Sequence, residues 1–236
     1  MCIAIIPARG GSKRIPGKNI RFFLGKPILY YPINAALESG CFKEVMVSTD
    51  DEIIAEVAIS FGASVPFLRS KENSNDFAST SNVLLEVLHE YEYRNITYEN
   101  LCCFYPTSVF VDSNMIRESK VVFDKSGTDG LISVVKYGHP IQRSLRVDCD
   151  RLVVNHPESF YGRTQDCRPM YHDAAQLYWL KVSNFLKEKK MFCENCVPYF
   201  LSENIAQDID NEDDWVIAEL KYRHFYLKGL LKEREI

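Results

Sequence analysis

The chain has 236 residues, enough for one domain with a sizeable core, and its hydrophobic and charged fractions of 46% and 25% are those of an ordinary soluble globular protein. A net charge of −4 excludes a whole-protein field that would gather nucleic acid or an anionic membrane, and no apolar run approaches the length of a bilayer span. A short apolar stretch at residues 2–6 precedes a basic loop, the reverse of a secretory signal, and the eight scattered cysteines read as reduced thiols of a cytoplasmic protein.

Residues 3–6 are stopped by Pro7, the pattern of a strand buried in a parallel sheet. Leu29, Ile33, Ala36 and Leu37 then recur at helical spacing, with Pro32 tolerated in the first turn and Gly40 as the stop. Residues 45–48 are the next strand. Asp50 or Asp51 can cap the following helix, in which Ile53, Ile54, Val57, Ala58 and Phe61 share a face before Gly62. Next come a strand at 64–67, a helix over 81–93, a strand at 101–105, a helix over 112–123 and a strand at 131–136. Such alternation calls for right-handed βαβ crossovers. The expected fold is therefore α/β, a Rossmann-like three-layer sandwich with a mostly parallel sheet covered on both faces.

The rhythm changes near residue 138. Residues 142–154 look like a hairpin, and 155–170 form an irregular stretch rich in Arg, Pro and His. We read 140–172 as an excursion from the main sheet of a single 1–236 domain. Strands at 174–182 and 198–201 and an amphipathic helix over 215–230 close the chain. Cys193-Glu-Asn-Cys196 is a lone pair of thiols, half of what a structural zinc site needs.

Between Met1 and Leu37 there is no acidic residue and there are six basic ones, Arg9, Lys13, Arg14, Lys18, Arg21 and Lys26. Most lie in Arg9-Gly-Gly-Ser-Lys-Arg-Ile-Pro-Gly-Lys-Asn19, directly after the first strand. Ligands of open α/β sheets bind beyond the carboxyl ends of the strands, where this loop lies. Glycines at 10, 11 and 17 let successive N–H groups converge on an anion, and the side-chain cations can neutralise phosphate oxygens. The Walker A pattern fails, because five residues separate Gly11 from Gly17 and Asn19 follows the lysine. The dinucleotide GxGxxG is also absent, which disfavours a kinase or a dehydrogenase. A solvated basic loop would explain the charge alone.

Asp208-Ile-Asp210 is the second feature. In extended chain both carboxylates face one side and Ile209 the other. With water and phosphate oxygens they would complete a magnesium shell. An acidic turn capping the helix that follows Asn211, Glu212, Asp213 and Asp214 explains them equally well.

With these residues in view, the chain resembles the acylneuraminate cytidylyltransferase family, most closely its pseudaminic acid branch. The likeness runs over nearly the whole length. It is carried by Ile5-Ile-Pro-Ala-Arg-Gly-Gly-Ser-Lys-Arg-Ile-Pro-Gly-Lys-Asn19, Val47-Ser-Thr-Asp-Asp51, Val65-Pro-Phe-Leu-Arg69, Tyr171-His-Asp-Ala-Ala-Gln-Leu-Tyr-Trp179 and Asp208-Ile-Asp210. The resemblance implies a nucleotidyltransferase that joins CTP to a nine-carbon 2-keto sugar acid and releases pyrophosphate. It implies catalytic cations at Arg9, Lys13 and Lys18, and a nucleotide cradle of Ala8, Gly10, Gly11, Ser12, Asn19, Asp50 and Arg69. It also implies Mg²⁺ on Asp208 and Asp210, and a homodimer in which the excursion meets the partner.

On the acceptor side the resemblance implies Tyr105, Arg143, Arg163, His172, Asp173 and Gln176. Here the chain departs from the sialic acid enzymes, which have Gln-Pro-Thr-Ser at Tyr105-Pro-Thr-Ser108 and Asn-Gly-Ala near His172-Asp-Ala-Ala-Gln176. That departure points to pseudaminic acid. Legionaminic, N-acetylneuraminic and 3-deoxy-octulosonic acids stay open, as does a nucleotide-binding protein without activity.

Overall fold

The computed structural model describes residues 1–227. Its elements in chain order are β1 (Cys2–Pro7), β2 (Phe22–Phe23), β3 (Lys26–Pro27), α1 (Tyr30–Ser39), β4 (Glu44–Ser48), α2 (Glu52–Ser60), α3 (Thr80–Tyr93), β5 (Asn100–Phe104), α4 (Ser113–Ser126) and β6 (Gly130–Lys136). They continue with β7 (Leu145–Asp148), β8 (Arg151–Val154), α5 (Pro157–Phe160), β9 (Tyr171–Lys181), α6 (Val182–Glu188), β10 (Cys196–Leu201) and α7 (Glu212–Tyr222).

Six strands form the central sheet in the order β10-β6-β9-β5-β1-β4. All its pairings are parallel except those of β9, which runs antiparallel to β5 and to β6. Alternation along β1 shows why helices cover both faces. Ala4 and Ile6 pack with Ile33 and Ala36 of α1 and Ile116 and Phe123 of α4, whereas Ile3 and Ile5 pack with Leu84, Val87 and Tyr91 of α3. The expected three-layer sandwich is what the chain forms.

The helix signals sit where the sequence puts them. Gly40 ends α1 in the left-handed region at φ 66°. Of the two candidate caps for α2, Asp51 is the one used: its side chain accepts from the N–H of Ile53 and Ile54. Asp112 and Ser79 cap α4 and α3 in the same way. Asn211 and Asp214 form a capping box on α7.

Four expectations need correction. The strand at 64–67 shrinks to one bridge, Met46 with Ser64, because Pro66 has no N–H with which to continue the ladder. Ile53 and Leu37 are exposed, so the apolar faces of α2 and α1 are narrower than their sequences suggest. The helix α6 was not foreseen. The final helix starts earlier than expected and gives way to a π turn at Arg223–Leu227; the predicted residues 228–230 lie outside the described ones.

Part of residues 140–172 forms a two-stranded sheet separate from the central one. β7 and β8 pair antiparallel across a two-residue turn in which Cys149 and Asp150 both have positive φ, as a type I′ hairpin requires. Val147 and Leu152 on it are exposed.

Glu44, at the start of β4, gives the fold one clear pH dependence. Burial pushes its carboxyl up, but hydrogen bonds from Ser64, Tyr91 and Tyr98 and the nearby Lys43 outweigh that and hold it below its ordinary value of 4.5. A depressed folded value means stability that is complete above about pH 4.5 and lost as the pH falls through the lower one. Glu44→Gln should therefore cost about 1–2 kcal/mol at neutral pH. In thermal melts the gap to the parent chain should close progressively below pH 4.5.

Candidate active site

The basic loop is not a free strap. Ile15, at its middle, is fully buried in a cluster with Phe23, Ile28, Phe110, Ile209 and Trp215. Gly17 takes φ 63° and starts a short 3-10 turn at Lys18–Ile20. Asn19, also buried, donates to the Arg9 carbonyl at 2.8 Å and ties the two ends of the loop together. Arg21 grips Glu212 at 2.6 and 2.8 Å and stacks on the Trp215 ring at 4.5 Å, fastening the exit of the loop to α7.

Entry to the loop is equally fixed. Ala8 is buried, and its N–H donates to the Ser48 carbonyl at 2.8 Å. Gly10 donates to Asp50 Oδ1 at 3.0 Å. A Cβ at Gly10 would lie 2.7 Å from Asp51 Oδ2 and 3.0 Å from Asp51 Cβ, so only glycine lets the loop pass the cap of α2. Gly11 faces open space.

Ile209 is the pivot of the acidic side. It is fully buried, and Asp208 and Asp210 flank it on the wall of a cavity of about 580 Å³. Lys18 crosses from the loop to this segment: its Nζ donates to the Ile209 carbonyl at 2.7 Å and stands 3.8 Å from Asp210 Oδ1. Arg14 pairs with Asp210 at 3.0 Å. Burial lowers the Lys18 pKa against the opposing pull of Asp210 and Asp208. Burial first, and then the neighbouring Asp210 charge, raise that of Asp208.

Arg69 is a buried cation on the same side of the sheet edge as Asp50 and Ser48. It is 7% exposed, its Nε donates to Ser48 Oγ at 3.0 Å, and a second nitrogen donates to the Ser48 carbonyl. Burial lowers its pKa to about 10, with Asp50 and Glu86 opposing.

Arg9, Ser12, Lys13, Lys18, Asn19 and Arg69 thus line one cavity with Asp208 and Asp210, and Tyr105 and Asp173 close its other side. Asp173 is held by the Ala175 N–H at 2.9 Å and the Tyr178 hydroxyl at 2.7 Å. His172 opens instead on a neighbouring cavity of about 360 Å³ that shares Asp173, Asp208 and Asp210. Gln176 reaches neither cavity: it is fully buried, donating to the carbonyls of Ala174 and Gln207 at 3.1 and 3.2 Å. Arg143 and Arg163 also stay away. Arg143 bonds Thr164 Oγ1 at 2.9 Å inside the excursion and lies over the Phe160 ring, while Arg163 is exposed beside it.

Sequence reasoning missed Asp76. Its carboxylate spans Arg9 at 2.8 Å and Lys13 at 2.5 Å, on the wall of the same cavity. A single aspartate in a polar loop carries no local signal of such a contact. The pairing of Arg14 with Asp210 was missed for the same reason.

The fold, the basic loop and the paired carboxylates define a nucleotide-handling α/β domain, and comparison with known proteins makes that specific. The sequence pattern of the family described as cytidylyltransferase matches residues 3–209. The chain is 36% identical to the pseudaminic acid cytidylyltransferase of Campylobacter jejuni serotype O:23/36, over 94% of this chain and 96% of that one. It is 33% identical to the CMP-N,N'-diacetyllegionaminic acid synthase of Legionella pneumophila, over 92% and 94%. Among solved structures it resembles a CMP:2-keto-3-deoxy-manno-octonic acid synthetase complexed with CTP, with a TM-score of 0.65, 17% identity and coverage of 100% and 99%. A 4-diphosphocytidyl-2C-methyl-D-erythritol synthase from Anaerococcus prevotii shares the fold at a TM-score of 0.63 and 13% identity, over 94% and 98%. The chain belongs to the cytidylyltransferase family and is a nucleotidyltransferase.

Gly10→Ala tests the fit of the loop. Because a misplacement of about 1 Å in a positioned group can cost on the order of 100-fold, CTP binding measured by calorimetry should weaken at least about tenfold. The melting temperature should fall only as far as a strained Asp51 cap allows.

Proposed function

We propose that the chain transfers CMP from CTP to the anomeric hydroxyl of pseudaminic acid, releasing pyrophosphate, and that it does so in the cytoplasm as a homodimer. The observation that carries this reading is the meeting of the basic loop with Asp208 and Asp210 on one cavity. The substrate named for the Campylobacter relatives agrees with the His172–Gln176 segment noted in the sequence.

The sugar hydroxyl attacks the α-phosphorus in line. A new O–P bond forms as the hydroxyl proton passes to water, the bridging P–O bond to the β-phosphate breaks, and the electron pair leaves on pyrophosphate. Arg9, Lys13 and Lys18 face the phosphates and balance the charge that gathers on the leaving group. Arg69 and Asn19 face the nucleoside, and Tyr105 and Asp173 orient the acceptor.

The donor set suits Mg²⁺. Burial first, and then repulsion by Asp210, raise the Asp208 carboxyl, and a divalent cation would offset both. Among the described residues no group of three or more His, Cys, Asp or Glu side chains has the arrangement of a metal site. Two carboxylates leave coordination positions for phosphate oxygens and water, as Mg²⁺ prefers. Bound there, it would polarise a phosphate oxygen as a Lewis acid.

Arg143 and Arg163 lie outside this chain's own cavity, and the exposed Val147 and Leu152 sit on the same excursion. Both features suit an interface through which the arginines approach the partner's acceptor site. Light scattering at micromolar concentration should give twice the chain mass, and Val147→Asp with Leu152→Asp should reduce it to one.

Pyrophosphate release from CTP and Mg²⁺ should appear with pseudaminic acid and be far slower with legionaminic or N-acetylneuraminic acid. Release with legionaminic acid alone would keep the chemistry and replace the acceptor. Asp210→Ala should cut turnover about 100-fold or more at saturating Mg²⁺, as loss of a transition-state charge contact does. Near-normal turnover would reject the metal assignment.

A further inference from the structure

Two cations assigned to the triphosphate already hold an anion that belongs to the chain. Arg9 meets one Asp76 oxygen at 2.8 Å and Lys13 meets the other at 2.5 Å. A phosphate offers the same two-oxygen fork. Resting on the nucleotide reading above, we propose that Asp76 is an internal competitor for the phosphate cradle. It yields to CTP and returns to the cations as pyrophosphate departs, which keeps the affinity for the product low.

The surroundings of Asp76 fit that role. Hydrogen bonds from Lys13 and Arg9 hold its carboxyl below the ordinary carboxylate range, so it is an anion at neutral pH. The segment that carries it is rooted at both ends. Ser70 donates to Glu86 through its N–H at 2.6 Å and its hydroxyl at 2.7 Å. At the far end Ser79 caps α3. Between these roots, the Asn75 side chain accepts from the N–H of Phe77 and Ala78, which places Asp76 on the crest of a tight turn. Its side chain can swing away from the cations without loosening either root.

The other loop cations are engaged differently. Arg14 pairs with Asp210, and Lys18 donates to the Ile209 carbonyl. Asp76 therefore bears on Arg9 and Lys13 alone among the loop cations. Both of its pairs reach the surface, with the Lys13 side chain 80% exposed, so they are weak enough for a polyphosphate to displace. On the nucleotide reading, CTP would also engage Arg69 and Asn19 through its nucleoside, which offsets the competition. Pyrophosphate has no nucleoside.

Calorimetry on the full chain with Mg²⁺ tests this, titrating CTP and pyrophosphate separately into the parent, Asp76→Asn and Asp76→Glu. Asp76→Asn should tighten both ligands about 3- to 10-fold, the range expected when two exposed ion pairs no longer compete. Asp76→Glu should stay near the parent. Pyrophosphate should inhibit Asp76→Asn at a correspondingly lower concentration, and the gain should shrink when Lys13→Met is added. Weaker binding of both ligands by Asp76→Asn would show that Asp76 orders the cations for phosphate, and would overturn the proposal. Unchanged binding would overturn it too while leaving the nucleotide reading intact. A parent chain that binds neither ligand would take down both.

Discussion

Ile15 of the basic loop and Ile209 of the acidic segment are both fully buried in the cluster built on Phe23, Phe110 and Trp215. Burying one such side chain contributes about 1.5–3 kcal/mol, whereas an exposed ion pair contributes about 0–1 kcal/mol. The meeting of loop and carboxylates is thus set by apolar burial, and the Arg14 pair with Asp210 follows from it. Because side chains alternate along extended chain, sinking Ile209 also turns Asp208 and Asp210 outward together. One apolar contact therefore fixes where the basic loop and the paired carboxylates meet.

The buried cations share a second economy of design. Lys18 donates to the Ile209 carbonyl and Arg69 to the Ser48 carbonyl and hydroxyl, and among the described residues the carboxylate paired with Lys18, Asp210, stands off at 3.8 Å. Neutral acceptors thus take the short hydrogen bonds, and the nearby carboxylates offset each charge only from a distance. The positive potential stays available to an incoming anion, at a desolvation cost that shows in the lowered pKa of both residues. Asp76, which pairs with Arg9 and Lys13, does so in an exposed contact that is easily exchanged.

Much of this was legible in the sequence because its signals are local. Pro7, Gly40, Asp112 and the run Asn211–Asp214 each act within one turn of chain, and each marks an element boundary in the structure. The basic loop declared itself by charge against an acidic background, and Asp208-Ile-Asp210 by period-two alternation. The choice between Asp50 and Asp51 as cap was not local. It is settled by Gly10, whose N–H takes Asp50 from another part of the chain. Asp76 and the burial of Gln176 were invisible for the same reason, since both depend on partners that only the tertiary fold brings near. The missing strand after β4 was readable in retrospect, from Pro66.

β9 carries the chain back from the hairpin to the central sheet. A parallel strand would end at the ligand-binding edge, but β9 runs the other way, and its first residue, Tyr171, pairs with Lys136 at the end of β6. The segment at His172–Gln176 is thereby delivered to the edge where β1 presents its loop. The ladder then breaks: between the pairs Val134 with Asp173 and Ile132 with Tyr178, residues 174–177 lie opposite Ser133 alone. Ala175 is forced to φ 53°, a conformation costly for a residue with a Cβ, and Ser108 holds the bulge through the carbonyls of Ala175 and Gln176. Gln176 ties the same bulge to the carbonyl of Gln207, next to Asp208. A substitution at this bulge is therefore transmitted to the segment that carries the paired carboxylates.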